Sequence, residues 1–345
     1  MSASGRIPHH RLGKNGPTVP ALGLGLMSLC GAYGPKPSDE ERFKFLDRAV
    51  ELGATFWDAA DIYGDVEELL GKWFARTGKR SEIFLATKFG VIMKDKTFKG
   101  MDSTAENCKK SCEASLKKLG TDYIDLYFAH MLNPATPVEE TMRALAELQA
   151  EGKIKHIALS SVSSNTLRRA CKIARVAAVQ LEYSPFVLDI EGPAGKDLLA
   201  TCRELGIAVI PFSPLGHGIL TGTFTTAESL SSPGDIRSRM FPRFMEGNLE
   251  GNAKIVEKFK AIADKKGCST SQLSLAWLLK QGEDIIPIPG TKTIKWLEEN
   301  WRALDVKLTD QEEREVREFV GSVEMLGHKP EAAKRFGYVD TKEES

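Results

Sequence analysis

The chain has no surplus of charge of either sign: Lys+Arg and Asp+Glu both number 47 in its 345 residues. Without a basic field, the attraction that drives phosphate-backbone binding is missing, and a nucleic-acid partner is not expected. No run approaches the roughly 18 apolar residues that a membrane span needs. The opening MSASGRIPHHRLGKNG is polar where a signal peptide requires an apolar core, and the closing KEES is not a recognised address, so a cytoplasmic protein is expected. Six cysteines, at positions 30, 108, 112, 171, 202 and 268, include no CxxC pair, which speaks against a disulfide framework and against a zinc site. Cys108 and Cys112 share a helix face at i, i+4, but no nearby His or second Cys pair completes a ligand set, so packing is the expected role and no metal is expected. No low-complexity linker interrupts the chain. One domain over residues 1–345 is therefore expected, with a core of about 10–320 and a polar tail of about 327–345.

What the sequence does have is an alternation of short apolar β-prone runs with amphipathic helical stretches, the pattern of parallel βα units. Eight strands are expected: Ala21–Leu26, Thr55–Ala60, Ile83–Lys88, Ile124–His130, His156–Ser161, Ala178–Tyr183, Ala208–Ser213 and Ile285–Pro289. Helix starts are marked by a hydroxyl three residues before an acidic or amide residue, at Ser38/Glu41, Ser103/Glu106, Thr136/Glu139 and Ser269/Gln272. Pro137 follows Thr136 at the first helical position, where a missing N–H costs nothing. Thr309/Glu312 opens one more helix outside the eight-unit pattern. No GxGxxG follows the first strand, since the glycines of Gly23–Gly25 stand within it, so an open dinucleotide-binding sheet is disfavoured. The expected fold is a (β/α)8 TIM barrel with a long loop after its seventh strand and an extra C-terminal helix. That loop, Gly216–Gly251, reads either as a lid or binding loop or as a disordered surface insertion.

In such a barrel the C-terminal strand ends share one mouth. Asp58 and Tyr63 lie at or just past the end of the second strand, Lys88 ends the third and His130 the fourth, so residues spread from 58 to 130 converge. A Tyr, Lys, Asp and His together read as a general acid, its tuning group, an anchor and a substrate positioner. Asp61, the rival carboxylate, lies beyond the strand end and is given a loop or helix-entry role.

The runs GATFWDAADIYG (Gly53–Gly64), ATKFG (Ala86–Gly90), IDLYFAH (Ile124–His130), VQLEYSPF (Val179–Phe186), PFSPLGHGILTG (Pro211–Gly222) and IPIPGTKTIKWLEEN (Ile286–Asn300) resemble, in order, an aldo-keto reductase. The likeness runs from about residue 10 to 320 and is greatest to the fungal and bacterial branch of aryl-aldehyde and pyridoxal reductases. It implies reduction of aldehydes, and of some ketones, by hydride transfer from NADPH. Tyr63 is then the proton donor, Lys88 its tuning partner, Asp58 the partner of Lys88, and His130 the residue that orients the carbonyl. A phenol's ordinary pKa of about 10 is expected to fall beside the Lys88 ammonium. A neutral His130 can donate to the substrate oxygen.

The resemblance also implies the cofactor contacts. Ser160, Ser161 and Gln180 match positions that bind the nicotinamide carboxamide, and Phe212 the aromatic that stacks on the ring. Ser213, Pro214, Leu215, His217, Gly218 and Leu220 fall in the pyrophosphate segment, and Glu299 and Asn300 on the adenine side. Trp296 stands where an arginine that contacts the 2′-phosphate or the adenine is common, and it can stack on a base but carries no charge; with Gly290, Thr291, Lys292 and Lys295 nearby to bind the phosphate, NADPH is still favoured, with NADH as the alternative. Arg237, Arg239 and Arg243 of the long loop either close over the phosphates or are solvated. Met27, Tyr33, Phe89 and Met131 are placed around the substrate and suggest an apolar, aromatic aldehyde. Two other activities stay open: a nicotinamide-sensing regulatory protein, of the kind exemplified by potassium-channel β subunits, and alcohol oxidation.

Overall fold

The computed structural model describes residues 7–94, 97–327 and 337–344. The chain opens with an antiparallel hairpin, β1 (His9–Arg11) and β2 (Thr18–Pro20). Barrel strands β3 (Leu24–Gly25), β4 (Phe56–Asp58) and β5 (Phe84–Phe89) follow, with α1 (Asp39–Glu51) and α2 (Val66–Thr77) between them. A second hairpin, β6 (Val91–Lys94) and β7 (Thr97–Met101), rises from the mouth before α3 (Ala105–Leu119). Strands β8 (Ile124–Ala129), β9 (Ile154–Ser160), β10 (Val176–Glu182) and β11 (Ala208–Phe212) complete a seven-stranded parallel sheet in the spatial order β3-β4-β5-β8-β9-β10-β11. Helices α4 (Val138–Ala150), α5 (Ser164–Ile173) and α6 (Leu198–Leu205) separate them.

Residues 285–290 stand where the eighth strand is expected and join the two sheet edges. Ile286 and Ile288 donate to Val209 and Pro211 of β11 at 2.9 and 3.1 Å, while the carbonyls of Pro287 and Pro289 accept from Gly23 and Gly25 at 2.9 and 3.2 Å. The two prolines occupy the positions whose N–H would point at β3, so that side of the seam has acceptors and no donors. The glycines let the seam close, because a Cβ on Gly25 would stand 2.9 Å from the carbonyl oxygen of Ile288.

Alternation divides the core. Phe56, Ala86, Leu126, Phe128, Ala158, Ala178, Ile210 and Ile288 fill the barrel, with Leu12 and Val19 of the first hairpin plugging its base. The intervening residues, such as Leu85, Phe89, Tyr127 and Leu159, pack under the helices. The capping boxes at Ser38, Ser269 and Thr309 form as expected. Helix α3 is capped one residue later than expected, by Thr104 accepting from Asn107 N–H, because Ser103 is buried and accepts from Asn133 N–H. Helix α4 has no side-chain cap: Pro137 is extended and outside the helix, and Glu139 is tied to Arg169 at 2.7 and 2.8 Å.

The long loop is ordered rather than a disordered insertion. It contains three 3-10 turns, Gly216–Thr221, Ala227–Leu230 and Pro242–Phe244, and the short α7 (Arg237–Met240). Ile219, Leu220, Leu230 and Phe244 build a small core with Leu249 and Val256 of α8 (Leu249–Lys266). Then come α9 (Thr270–Lys280), α10 (Ile294–Trp301) and the additional α11 (Asp310–Gly321). The tail is docked as well: Val339 N–H donates to Ser161 O at 2.8 Å, and Val138 N–H to Thr341 Oγ1 at 3.2 Å. All six cysteines are free. Among the described residues, no helix is long and apolar enough to cross a membrane, and no cluster of metal-ligating side chains occurs.

Candidate active site

Along β4, β5, β8, β9 and β10 the inward-facing positions turn from apolar to polar at the last step, while β11 ends in Phe212 and the closing segment in a glycine. Phe56 is followed by Asp58, Ala86 by Lys88, Phe128 by His130, Ala158 by Ser160, Ala178 by Gln180 and Ile288 by Gly290. The polar set therefore forms the top layer of the barrel filling, resting on an apolar floor. Above it lies a cavity of about 490 Å³.

Lys88, fully buried, forms an ion pair with Asp58 Oδ1 and donates to Ala59 O at 2.7 Å. The other Asp58 oxygen accepts from Gln180 Nε2 at 2.8 Å. Lys88 Nζ lies 5.0 Å from the centroid of the Tyr63 ring, and Tyr63 meets His130 edge-on at 6.1 Å between centroids. Burial pulls the Lys88 ammonium below its ordinary value, against the pull of Asp58, which favours its charge. Burial also drives His130 well below the usual imidazole range, so the ring is neutral, and its Nδ1 is sealed without a partner. Tyr63 departs from expectation: its phenol is pushed well above the ordinary value rather than down, first by burial and then by Asp58. Desolvation dominates, and the phenol stays protonated.

Most of the remaining residues singled out in the sequence line the same cavity: Met27, Tyr33, Met131, Ser160, Ser161, Gln180, Phe212, Ser213, Pro214, Leu215, His217, Gly218, Gly290, Thr291, Lys292, Trp296 and Asn300. Ser161, Ser213 and His217 adopt left-handed backbone with φ of 57°, 48° and 59°, strain that clusters at this wall. Three others do not line it. Phe89 is one residue out of phase with Lys88, so it points under the helices and stacks on Tyr127 at 5.2 Å. Leu220 is consumed by the core of the long loop. Glu299 accepts from Ser269 Oγ at 2.8 Å and so braces the start of α9.

The basic residues also differ from expectation. Lys292 donates to Tyr33 O at 3.0 Å and Pro35 O at 2.8 Å, which commits its ammonium to the loop after β3. Lys295 lies along the exposed face of Trp296, 4.3 Å from the ring centroid. Arg237 lines the cavity but is held by Asp235 at 2.6 Å and packs on Phe224 at 3.8 Å, Arg243 pairs with Glu182 at 2.9 Å, and Arg239 is exposed.

Sequence reasoning missed the strap these contacts build. Ala32 O accepts from Ile236 N–H at 3.2 Å, Tyr33 OH meets His217 Nδ1 at 2.9 Å, and His217 stacks on Phe241 at 3.8 Å. The loop after β3 and the long loop thus meet across the cavity. Phe224 and Phe241 line it, and their only signal in the sequence was the density of aromatic and arginine residues in the long loop.

The model of the Aldo/keto reductase family matches residues 21–320. Aldo-keto reductase str7 of Strobilurus tenacellus is 45% identical over 326 residues, covering 93% of this chain and 94% of its own length. Aldo-keto reductase yakc [NADP(+)] of Schizosaccharomyces pombe is likewise 45% identical over 324 residues, with 93% and 94% covered. Among solved structures, the glycerol dehydrogenase AKR11B4 of Gluconobacter oxydans superposes with a TM-score of 0.79 at 26% identity, over 94% of this chain and 96% of that one. The thermostable aldo-keto reductase Tm1743, solved with the inhibitor epalrestat, does so with a TM-score of 0.71 at 28% identity, over 91% and 100%. A barrel whose polar top layer sits within a family match spanning most of its length leads to one conclusion: the chain belongs to the aldo-keto reductase family, oxidoreductases that use a nicotinamide cofactor.

Proposed function

We propose that the protein is an NADPH-dependent reductase that converts aldehydes, and ketones of similar shape, to alcohols. The observation that carries this reading is the convergence of Tyr63, the Lys88–Asp58 pair and a neutral His130 at the floor of one cavity. The relative named for NADP(+), yakc, supports the choice of cofactor.

The residues fit a dinucleotide. The cavity extends from His130 past Ser160 and Phe212 to Thr291 and Asn300, and Gly218 turns the backbone along its wall at φ of 101°, where a Cβ would stand 2.9 Å from the Phe224 ring. Ser160, Ser161 and the carbonyl end of Gln180 would hold the carboxamide, Phe212 would stack on the ring, and Asn300 and Trp296 would meet the adenine end. When bound, the nicotinamide supplies a hydride to the carbonyl carbon. Tyr63, kept protonated by its burial, gives its phenolic proton to the carbonyl oxygen. Lys88 stabilises the phenolate left behind, and Asp58 keeps Lys88 charged where an unpaired ammonium would be costly. His130 orients the carbonyl through an N–H donor. Met27, Tyr33 and Met131 with Phe241 give the substrate end an apolar surface suited to an aromatic or aliphatic aldehyde.

The test is NADPH consumption, followed by absorbance of the reduced nicotinamide, over a panel of small aldehydes. Tyr63→Phe should bind cofactor and lose about 10²–10⁴-fold in turnover. Tight cofactor binding with no turnover of any aldehyde or alcohol would support a nicotinamide sensor instead.

A further inference from the structure

Two residues before Tyr63 lies a carboxylate the reaction above does not use. The backbone N–H of Asp61 donates to Lys88 O at 3.1 Å, which fixes its position beside the catalytic lysine. Its Oδ1 is sealed from solvent without a partner, a rare state for a buried carboxylate oxygen, and the carboxyl group's one backbone donor is the N–H of Ile62. The groups around it come from four elements and the loop it shares with Tyr63. On α2 stands Glu67, 2% exposed, with its oxygens taken by Thr87 Oγ1 at 2.8 Å and Lys118 Nζ at 3.5 Å. Lys118 comes from α3, Lys88 from β5, and Tyr127, with a buried hydroxyl that also lacks a partner, from β8.

We propose that Asp61 is a positioning residue for the reaction, a second carboxylate beside Lys88 whose ionisation keeps Lys88 charged and Tyr63 protonated as pH rises. The inference rests on the reductase reading and deepens it by assigning the pH dependence of the site. The signs agree. A negative Asp61 raises the affinity of Lys88 for its proton and raises that of Tyr63 as well. Asp61 is itself poised to change charge in the neutral range: burial, and next the negative charge of Glu67, push its carboxyl up to about 7, while Lys118 and Lys88 pull the other way. Below that point the site has one carboxylate for Lys88. Above it there are two, present where the lysine, weakened by burial, is in danger of losing its proton.

The experiment is the pH profile of kcat/KM for NADPH-dependent aldehyde reduction, with Asp61→Asn, Glu67→Gln and Lys118→Met beside the unaltered protein. The Asn variant should lose the inflection near 7 and show its alkaline limb about one pH unit lower. The other two variants should move the inflection in opposite directions, downward for Glu67→Gln and upward for Lys118→Met, and this pair decides the matter even if the Asn protein folds poorly. A second readout needs no turnover. The infrared difference spectrum of the cofactor-free protein between about pH 6 and 8 should contain a titrating protonated carboxyl band that Asp61→Asn abolishes. Asp61→Asn with unchanged limbs, or neighbour variants without opposed shifts, would overturn the proposal while leaving the reductase reading standing. Absence of turnover in the unaltered protein would sink the reductase reading and the role of Asp61 with it, whereas turnover with unchanged limbs sinks that role alone.

Discussion

Replacing Lys292 and Lys295 one at a time by methionine should separate holding the cofactor from choosing it. Lys292 is spent on the strap: its ammonium donates to two backbone carbonyls, at 3.0 and 2.8 Å, and burial and then Arg237 lower its pKa. A hydrogen bond from a charged donor contributes about 1.5–3 kcal/mol, and with the carbonyls partly rehydrated the pair together is worth about that much. The strap spans the whole cavity, so its loosening should weaken NADPH and NADH equally, by about 10-fold or more, with their ratio unchanged. Lys295 is exposed beside Trp296, at the start of α10, where a 2′-phosphate would meet positive helix charge. Its loss should weaken NADPH by about 10-fold and leave NADH nearly untouched. Titration of each cofactor by quenching of tryptophan fluorescence measures both constants. If Lys292→Met weakened NADPH selectively, the ammonium would have to leave its carbonyls for the phosphate, and the reading of Lys292 as a structural tie would be wrong.

Phe89→Ala should cost about 3–5 kcal/mol of stability and leave the KM for aldehydes unchanged, whereas Met131→Ala should alter KM with little loss of stability; urea denaturation and steady-state kinetics on the two variants check the contrast. Arg42, 1% exposed, donates to both oxygens of Asp65 at 2.9 Å, and Arg42→Met should lower stability by about 3 kcal/mol, seen as a lower urea midpoint at constant slope. The same pair holds Asp65 down to about 2, below its unfolded value of about 4, so its stabilisation is full above about pH 4 and is lost as pH falls through about 2; Arg42→Met should flatten stability across that window.

The barrel and its top layer were legible because strand periodicity and strand ends are local properties. Asp58, Lys88 and His130 could be placed from the sequence once their strands were found. The same logic faltered by one residue at Phe89, where adjacency to Lys88 suggested the mouth and parity put the ring on the other face. Ser103 with Glu106 was read as the cap of α3, but Ser103 is buried and the role passes to Thr104. The hairpin of β6 and β7 was missed because its strands cover no core: Ile92, Met93 and Phe98 stay exposed. The partners of Lys292 and Arg243 could not be read, since Tyr33, Pro35 and Glu182 are brought to them by tertiary structure. The surroundings of Asp61 could not be read for the same reason, being made by α2, α3 and β8.

The docked tail carries a consequence for the order of assembly. Asp340 accepts from Ser163, 177 positions earlier, Thr341 accepts from Val138 across 203, and Arg169 donates to the carbonyls of Thr341 and Lys342. These contacts brace the starts of α4 and α5, and so the loops that follow His130 and Ser160. Contacts so distant in sequence carry the entropy of closing a very long loop, and during synthesis they cannot form until residues 339–342 have left the ribosome. The barrel can close around its apolar floor while the mouth is still unbraced. Maturation of the cofactor wall should therefore be the late step, and a released protein truncated before residue 338 should hold a folded barrel that binds nicotinamide poorly.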